Sequence, residues 1–171
     1  MIHINIGSNL ESKYGNKFQN ISLATNLLID SSIKIKKISN FYETPSYPNK
    51  NFPKFINIGA VVECNFDYFF FLKKIALIEK KIGRHKSKKN DPRVCDIDII
   101  DFNGLIKKNK IIRLPHPRCH LRNFVLYPIK EIDPQWNHPI LMKNIDFLIS
   151  HLSQNSRIEI TRLRKSVIIN S

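Results

Sequence analysis

The sequence predicts an α+β fold, a mostly antiparallel sheet with helices packed on it and extra helices toward the C-terminal end. Three observations lead there. Apolar residues alternate with polar ones in short runs, as at Ile2, Ile4 and Ile6, which is the period of a strand. In longer runs they recur every three or four residues, as at Phe71, Ile75, Ile78 and Ile82, the period of a helix with one buried face. Read in order, the segments run β-α-β-β-α-β before a hairpin and further helices, a ferredoxin-like sandwich.

Each element follows from its residues. Residues 2–6 form the first strand, closed by the turn signal Gly7-Ser8-Asn9. From Lys17 to Leu28 the spacing of Phe18, Ile21, Thr25 and Leu28 predicts a helix. Ile33, Ile35 and Phe41 mark a second strand that ends before Thr44-Pro45. Residues 44–53 hold Pro45, Pro48 and Pro53 and read as a loop. Phe55 to Cys64, rich in Ile and Val, is the third strand. Asp67 is placed to cap a helix that runs to Ile82 and stops at Gly83. A basic loop fills 84–92, and Val94 to Phe102 is a strand. Asn103-Gly104 signals a hairpin with Lys108 to Leu114 as the partner strand. After a loop over 115–120, helices are expected at 121–132 and 144–152, and an edge strand within 156–162.

The chain has 171 residues and a formal net charge of +14. That length is one domain, 1–171, with 153–171 a tail of open role. A hydrophobic fraction of 42% excludes overall disorder. Three scattered cysteines exclude a disulfide framework, and the N-terminus has no basic, apolar leader pattern. No apolar run approaches the ~20 residues of a membrane span. A cytoplasmic monomer with no membrane partner is expected. The charge would fit a polyanion, but 28 Ile, 20 Lys and 18 Asn, all with AT-rich codons, would give such a surface without any partner. Its distribution is more telling: Lys73 to Arg93 carries nine basic and two acidic residues.

Four features carry chemistry. Asp96 and Asp98 are two apart in a strand and project from one face, while Ile97 and Ile99 face the other way. Two neighbouring carboxylates repel unless a cation sits between them, and Mg²⁺ is commonly held by such a pair together with substrate phosphates. Arg84, Lys86, Lys88, Lys89 and Arg93 flank the pair within one supersecondary unit, positive groups of the kind a polyphosphate needs. No Walker-type glycine loop is present. His116 lies between two prolines, Pro115 and Pro117, held as a phosphate donor would be, with Arg122 near a helix start suited to the same task. Zinc bound by His116, Cys119 and His120 lacks a fourth ligand at standard spacing. Finally, Phe55, Phe124 and the Asn57 amide could enclose and read a flat heterocycle, although Phe is more often core.

Taken together these segments resemble the 6-hydroxymethyl-7,8-dihydropterin pyrophosphokinase family of folate biosynthesis. The resemblance rests on Ile6-Gly7-Ser8-Asn9-Leu10, Phe41-Tyr42-Glu43-Thr44-Pro45, Phe55-Ile56-Asn57, Ile78-Glu79 with Gly83-Arg84, Pro92-Arg93 followed by Asp96-Ile97-Asp98-Ile99, Pro115-His116-Pro117, and Arg122-Asn123-Phe124-Val125 with Pro128, in order across residues 2–139. It implies transfer of a pyrophosphoryl group from ATP to the pterin hydroxymethyl group, with release of AMP. It implies Asp96 and Asp98 as ligands of two Mg²⁺ ions, and Arg84 and Arg93 with them as the catalytic group. Glu79, Arg84, Lys86, Arg93, His116 and Arg122 are implied ATP contacts. Thr44, Phe55, Asn57 and Phe124 are implied pterin contacts. Lys86 stands where the family commonly has Arg, Ala76 where it often has a polar residue, and the basic loop is about one residue short. A nucleic-acid-binding module of the same fold would also use the positive charge, but no aromatic Gly-Phe run of that kind occurs, and bare aspartates repel phosphate. A Mg²⁺-dependent nucleotidyl transferase shares the carboxylate pair. It would release pyrophosphate instead of AMP.

Overall fold

A computed structural model describes residues 1–85 and 91–169. In chain order its elements are β1 (Ile2–Ser8), α1 (Lys17–Asp30), β2 (Lys34–Ile38), β3 (Tyr42–Thr44), β4 (Phe55–Glu63), α2 (Tyr68–Ile82), β5 (Asp96–Phe102), β6 (Lys107–Lys108), β7 (Arg113–Leu114), α3 (Asn123–Ile132), α4 (Ile145–Ser150), α5 (Gln154–Ile158) and β8 (Thr161–Arg162). The main sheet has the order β5-β1-β4-β3-β8, with β2 also paired to β4. All its pairings are antiparallel. This is the ferredoxin-like α+β arrangement that the element order predicts.

The period-2 pattern of β1 divides its two faces. Ile2, Ile4 and Ile6 join the core beneath α1 and α2. His3 and Asn5 face the opposite layer, where α3 and α4 cover a second apolar cluster of Ile100, Val125, Leu126, Ile129 and Trp136. Strand β4 is buried along most of its length because both faces are covered. Helix α3 approaches it closely at Gly59, where a Cβ would stand 2.9 Å from the Pro128 side chain. Only glycine allows that approach. Asp67 caps α2 by accepting from the backbone N–H groups of Phe69 and Phe70, and Gly83 ends the helix at φ 113°.

Three expectations need correction. The second strand is broken into β2 and β3, because the Ser39 hydroxyl accepts from the Gly59 N–H and takes a ladder position at the bend. The segment after Asn103-Gly104 does not return along β5. Asn109 accepts from the N–H groups of Ile111 and Ile112, which folds β6 onto β7 as a local two-stranded ribbon. Of residues 156–162, only Thr161–Arg162 is strand, and 154–158 is helical with Ser153 as its cap.

The tail continues the sheet edge. Beyond β8, the Leu163 N–H donates to the Phe41 carbonyl at 2.8 Å, and the Phe41 N–H to the Lys165 carbonyl at 3.2 Å. Arg162 grips Glu131 of α3 through Nε and Nη2, both at 3.2 Å. Among the described residues, no helix is long and apolar enough to cross a membrane.

Candidate active site

The register of the sheet sets the site. Asp96 on β5 is opposite Gly7 on β1, and Gly7 is opposite Asn57 on β4. One row therefore carries a carboxylate, a bare backbone and an amide. At the ~4.8 Å spacing between neighbouring strands, Asp96 and Asn57 are roughly 10 Å apart. A Cβ on Gly7 would lie 2.7 Å from Asn57 Oδ1 and 3.7 Å from the Phe55 ring. The missing side chain lets the amide and ring settle over β1. Thr44 pairs with Phe55 across β3 and β4, and the Asn57 amide donates to the Thr44 hydroxyl at 3.5 Å.

The carboxylate end is electrostatically dense. Asp96 Oδ1 takes Arg84 Nη1 at 2.7 Å, and its Oδ2 takes Arg93 Nη1 at 2.9 Å. Asp98 Oδ2 takes Arg122 Nη1 at 3.0 Å. Glu79, from the end of α2, accepts from the Ile97 N–H at 2.7 Å and pairs with Arg84. Burial, with Asp98 alongside, pushes the Asp96 carboxyl up, and Arg84, Arg93 and Arg122 oppose that. Burial pushes Glu79 up to about 7, against the pull of the Ile97 N–H and Arg84. The Arg118 N–H donates to His116 Nδ1 at 3.1 Å, and Arg122 Nη1 stands 3.4 Å from His116 Nε2. Burial, then Arg122 and Arg118, hold His116 down to about 4. At neutral pH it is an uncharged imidazole beside Arg122. The Arg122 guanidinium also lies over the Phe124 ring, 5.3 Å from its centroid.

Glu79, Arg84, Arg93 and Asp96 thus form one linked set and Asp98, His116, Arg122 and Phe124 another, side by side through the Asp96 and Asp98 positions of β5, while Thr44, Phe55 and Asn57 form a group two strands away. Lys86, assigned to ATP from the sequence, lies outside the described residues. Two asparagines escaped the sequence reading. Asn9 accepts from the Arg93 N–H at 2.7 Å and donates to the Ser46 hydroxyl and the Pro53 carbonyl, tying the proline-rich loop to the basic segment. Asn5 donates to the carbonyls of Ile58 and Phe124, which seats the start of α3 on the sheet. The sequence marks Asn9 through the Gly-Ser-Asn turn and its place in the Ile6-Gly7-Ser8-Asn9-Leu10 stretch of the resemblance, and neither points to Arg93 as its partner.

The zinc alternative is also rearranged. His116 points toward Arg122, and His138 takes its place near Cys119 and His120, with ligand atoms within 4.8 Å of one another. The N–H groups of Ile140 and Leu141 donate to His138 Nδ1, each at 3.2 Å. The proton of that ring is therefore on Nε2, making it a donor and not a ligand. Burial pushes the Cys119 thiol up to about 12. Among the described residues this group has three members and no fourth ligand. A cavity of about 420 Å³ lined by Ile29, Ile33, Ile35 and Ile169 contains none of the predicted residues. A smaller one of about 230 Å³ borders Thr44 and Pro45.

Two hard-oxygen carboxylates on one strand face, bracketed by guanidinium groups beside an aromatic ring, form the kind of site that handles polyphosphates. The comparisons narrow that class. The family model 7,8-dihydro-6-hydroxymethylpterin-pyrophosphokinase matches residues 3–134. The 2-amino-4-hydroxy-6-hydroxymethyldihydropteridine pyrophosphokinase of Aquifex aeolicus is 32% identical over 142 residues, covering 83% of this chain and 86% of that protein. A folic acid synthesis protein of Dictyostelium discoideum is 37% identical over 141 residues, covering 82% of this chain. This chain spans only 21% of that protein's length. A Plasmodium falciparum HPPK-DHPS crystal structure with pterin and p-hydroxybenzoate superposes with TM-score 0.74 at 16% identity, over 98% of this chain and 48% of that one. That likeness speaks for the fold. The chain belongs to the 7,8-dihydro-6-hydroxymethylpterin-pyrophosphokinase family, a family of diphosphotransferase enzymes that use ATP.

Proposed function

We propose that this chain transfers a pyrophosphoryl group from ATP to the hydroxymethyl group of 6-hydroxymethyl-7,8-dihydropterin, releasing AMP, as a step of folate biosynthesis. The observation that carries the reading is the row Asp96–Gly7–Asn57, which joins a carboxylate set to a buried amide across one bare residue. In the reaction the hydroxymethyl oxygen bonds to the β-phosphorus. The bond from that phosphorus to the oxygen bridging to the α-phosphate breaks, AMP leaves with that oxygen, and the hydroxyl proton passes to water.

Asp96 and Asp98 are the carboxylates we assign to Mg²⁺, two ions in all. Their fit rests on the donor set: hard oxygens two residues apart on one face, already compensated by positive groups. Bound Mg²⁺ would supply neutralisation of the triphosphate charge. Arg84, Arg93 and Arg122 supply forked donors to phosphate oxygens, and the uncharged His116 ring stands beside Arg122 on the ATP side. Lys86 adds a point charge to the ATP side. Glu79 holds Arg84 and the start of β5 in place on the nucleotide side. Phe55 and Phe124 hold the pterin faces, while Asn57 and Thr44 read its edge. Positioning and charge compensation do the work, and no dedicated protein base is needed. We place the enzyme in the cytoplasm as a monomer, where its three thiols, none in a disulfide, stay reduced.

The test is AMP release from ATP and Mg²⁺ with and without the pterin. AMP that forms only when the pterin is present supports the reaction. Folded protein that yields no AMP, or AMP without pterin, refutes it.

A further inference from the structure

The site largely offsets its own charge. Arg84 and Arg93 pair with Asp96, Arg84 also with Glu79, and Arg122 pairs with Asp98, so each metal-facing carboxylate already holds a guanidinium. The side chains of Asp96 and Asp98 are 25% and 31% exposed, so neither is compensated by water alone. A divalent cation arriving by itself meets carboxylates that already hold permanent positive charges, and it would add two positive charges with no anion to offset them. ATP accompanied by two divalent ions is close to neutral, and its phosphates offer the guanidinium groups new acceptors. Arg122 is placed for that exchange, stacked over Phe124 and beside the uncharged His116 ring.

We propose that Arg84 and Arg122 are place-holding cations: in the ligand-free chain they occupy the carboxylates of Asp96 and Asp98, and they pass from carboxylate to phosphate when ATP and its divalent ions bind together. The inference rests on the metal and ATP reading above and assigns these side chains a second role, that of excluding a lone metal ion. Metal and nucleotide then bind as coupled ligands, each raising the affinity for the other. The sign of the consequence is unusual. Removing a positive side chain strengthens the binding of metal alone and weakens the binding of metal with nucleotide.

The experiment is a Mn²⁺ titration of the full chain without nucleotide, read as the loss of the free-ion electron-spin-resonance signal, with near-ultraviolet circular dichroism to check folding. Arg84→Met and Arg122→Met should each bind Mn²⁺ about fivefold more tightly than the unsubstituted chain, in the range expected for one partly exposed ion pair. Arg122→Lys, which keeps the charge, should stay within about twofold. With a non-hydrolysable ATP analogue added, both Met variants should bind nucleotide more weakly. If neither folded Met variant gains Mn²⁺ affinity while Asp98→Asn abolishes Mn²⁺ binding, the metal site stands and the place-holding role is refuted. If Asp98→Asn leaves Mn²⁺ affinity unchanged, the metal reading itself falls, and this inference with it.

Discussion

Asp98 and Asn57 lie on the same face of the sheet but are expected to fail differently. In the proposed reaction Asp98→Asn removes a charge assigned to holding Mg²⁺. It should lower kcat by at least about a hundredfold while leaving the pterin KM near its original value. Asn57→Ala removes the proposed edge contact to the pterin. It should raise the pterin KM by about tenfold, the cost of roughly one well-made hydrogen bond, with a smaller effect on the ATP KM. Initial rates of AMP release at varied pterin and ATP separate the two. The aspartates were legible in the sequence because their relation is local: i and i+2 in a strand share a face whatever else the chain does. Asn9 and Asn5 were not, because their partners lie 84 and 119 residues away. An asparagine that bridges two distant backbones has no periodicity to reveal it.

At the scale of elements, burial patterns were read well and strand endings poorly. The capped helix α2 and the buried strand β4 follow from propensity, spacing and caps alone. The break between β2 and β3 does not, since it depends on one hydroxyl replacing a ladder partner and on Asn40 being drawn to Glu131. Glu131 joins four parts of the molecule. It accepts from Asn40, the Tyr42 hydroxyl and Arg162, and although burial opposes it, Arg162, Tyr42 and Asn40 hold its carboxyl down to about 2. A depressed folded-state value means stability that is present above the ordinary value of 4.5 and lost as pH falls toward 2. With a discount for partial solvent screening, the charge is worth about 2 kcal/mol at neutral pH. Urea denaturation should therefore show Glu131→Gln about 2 kcal/mol less stable than the parent at pH 7, and the gap should narrow markedly by pH 3. An equal gap at both values would mean that the carboxylate contributes shape and not charge.

For the whole molecule, the surplus of Lys and Arg is only partly background. Arg84, Arg93, Arg122 and Arg162 all meet carboxylates, whereas composition alone gives no means of telling them from the solvated lysines. The C-terminal tail lies beyond the matched family region at 134, yet it forms the outer strand of the sheet. Ending the chain after Leu152 would remove β8 and the Arg162–Glu131 pair and expose the edge of β3. Unpaired edges invite association. The shortened chain should unfold about 5–10 °C lower in a thermal scan and scatter light in proportion to its concentration. A melt unchanged on both counts would make the tail dispensable. The order of strands was readable from the sequence; the covering of an edge by residues 120 positions along the chain was not.

The bare residue in the row Asp96–Gly7–Asn57 turns β1 into a ruler. Strand spacing is set by backbone hydrogen bonds, so it does not adapt to what lies on the sheet, whereas side chains swing. In the proposed reaction, the length of the acceptor is measured against that ruler: ring at one end, phosphate at the other. An arm one carbon longer or shorter brings its oxygen to the wrong mark, even when the ring itself is held equally well. Selectivity for the acceptor would then reside in the main chain, where substitution of side chains does little to retune it.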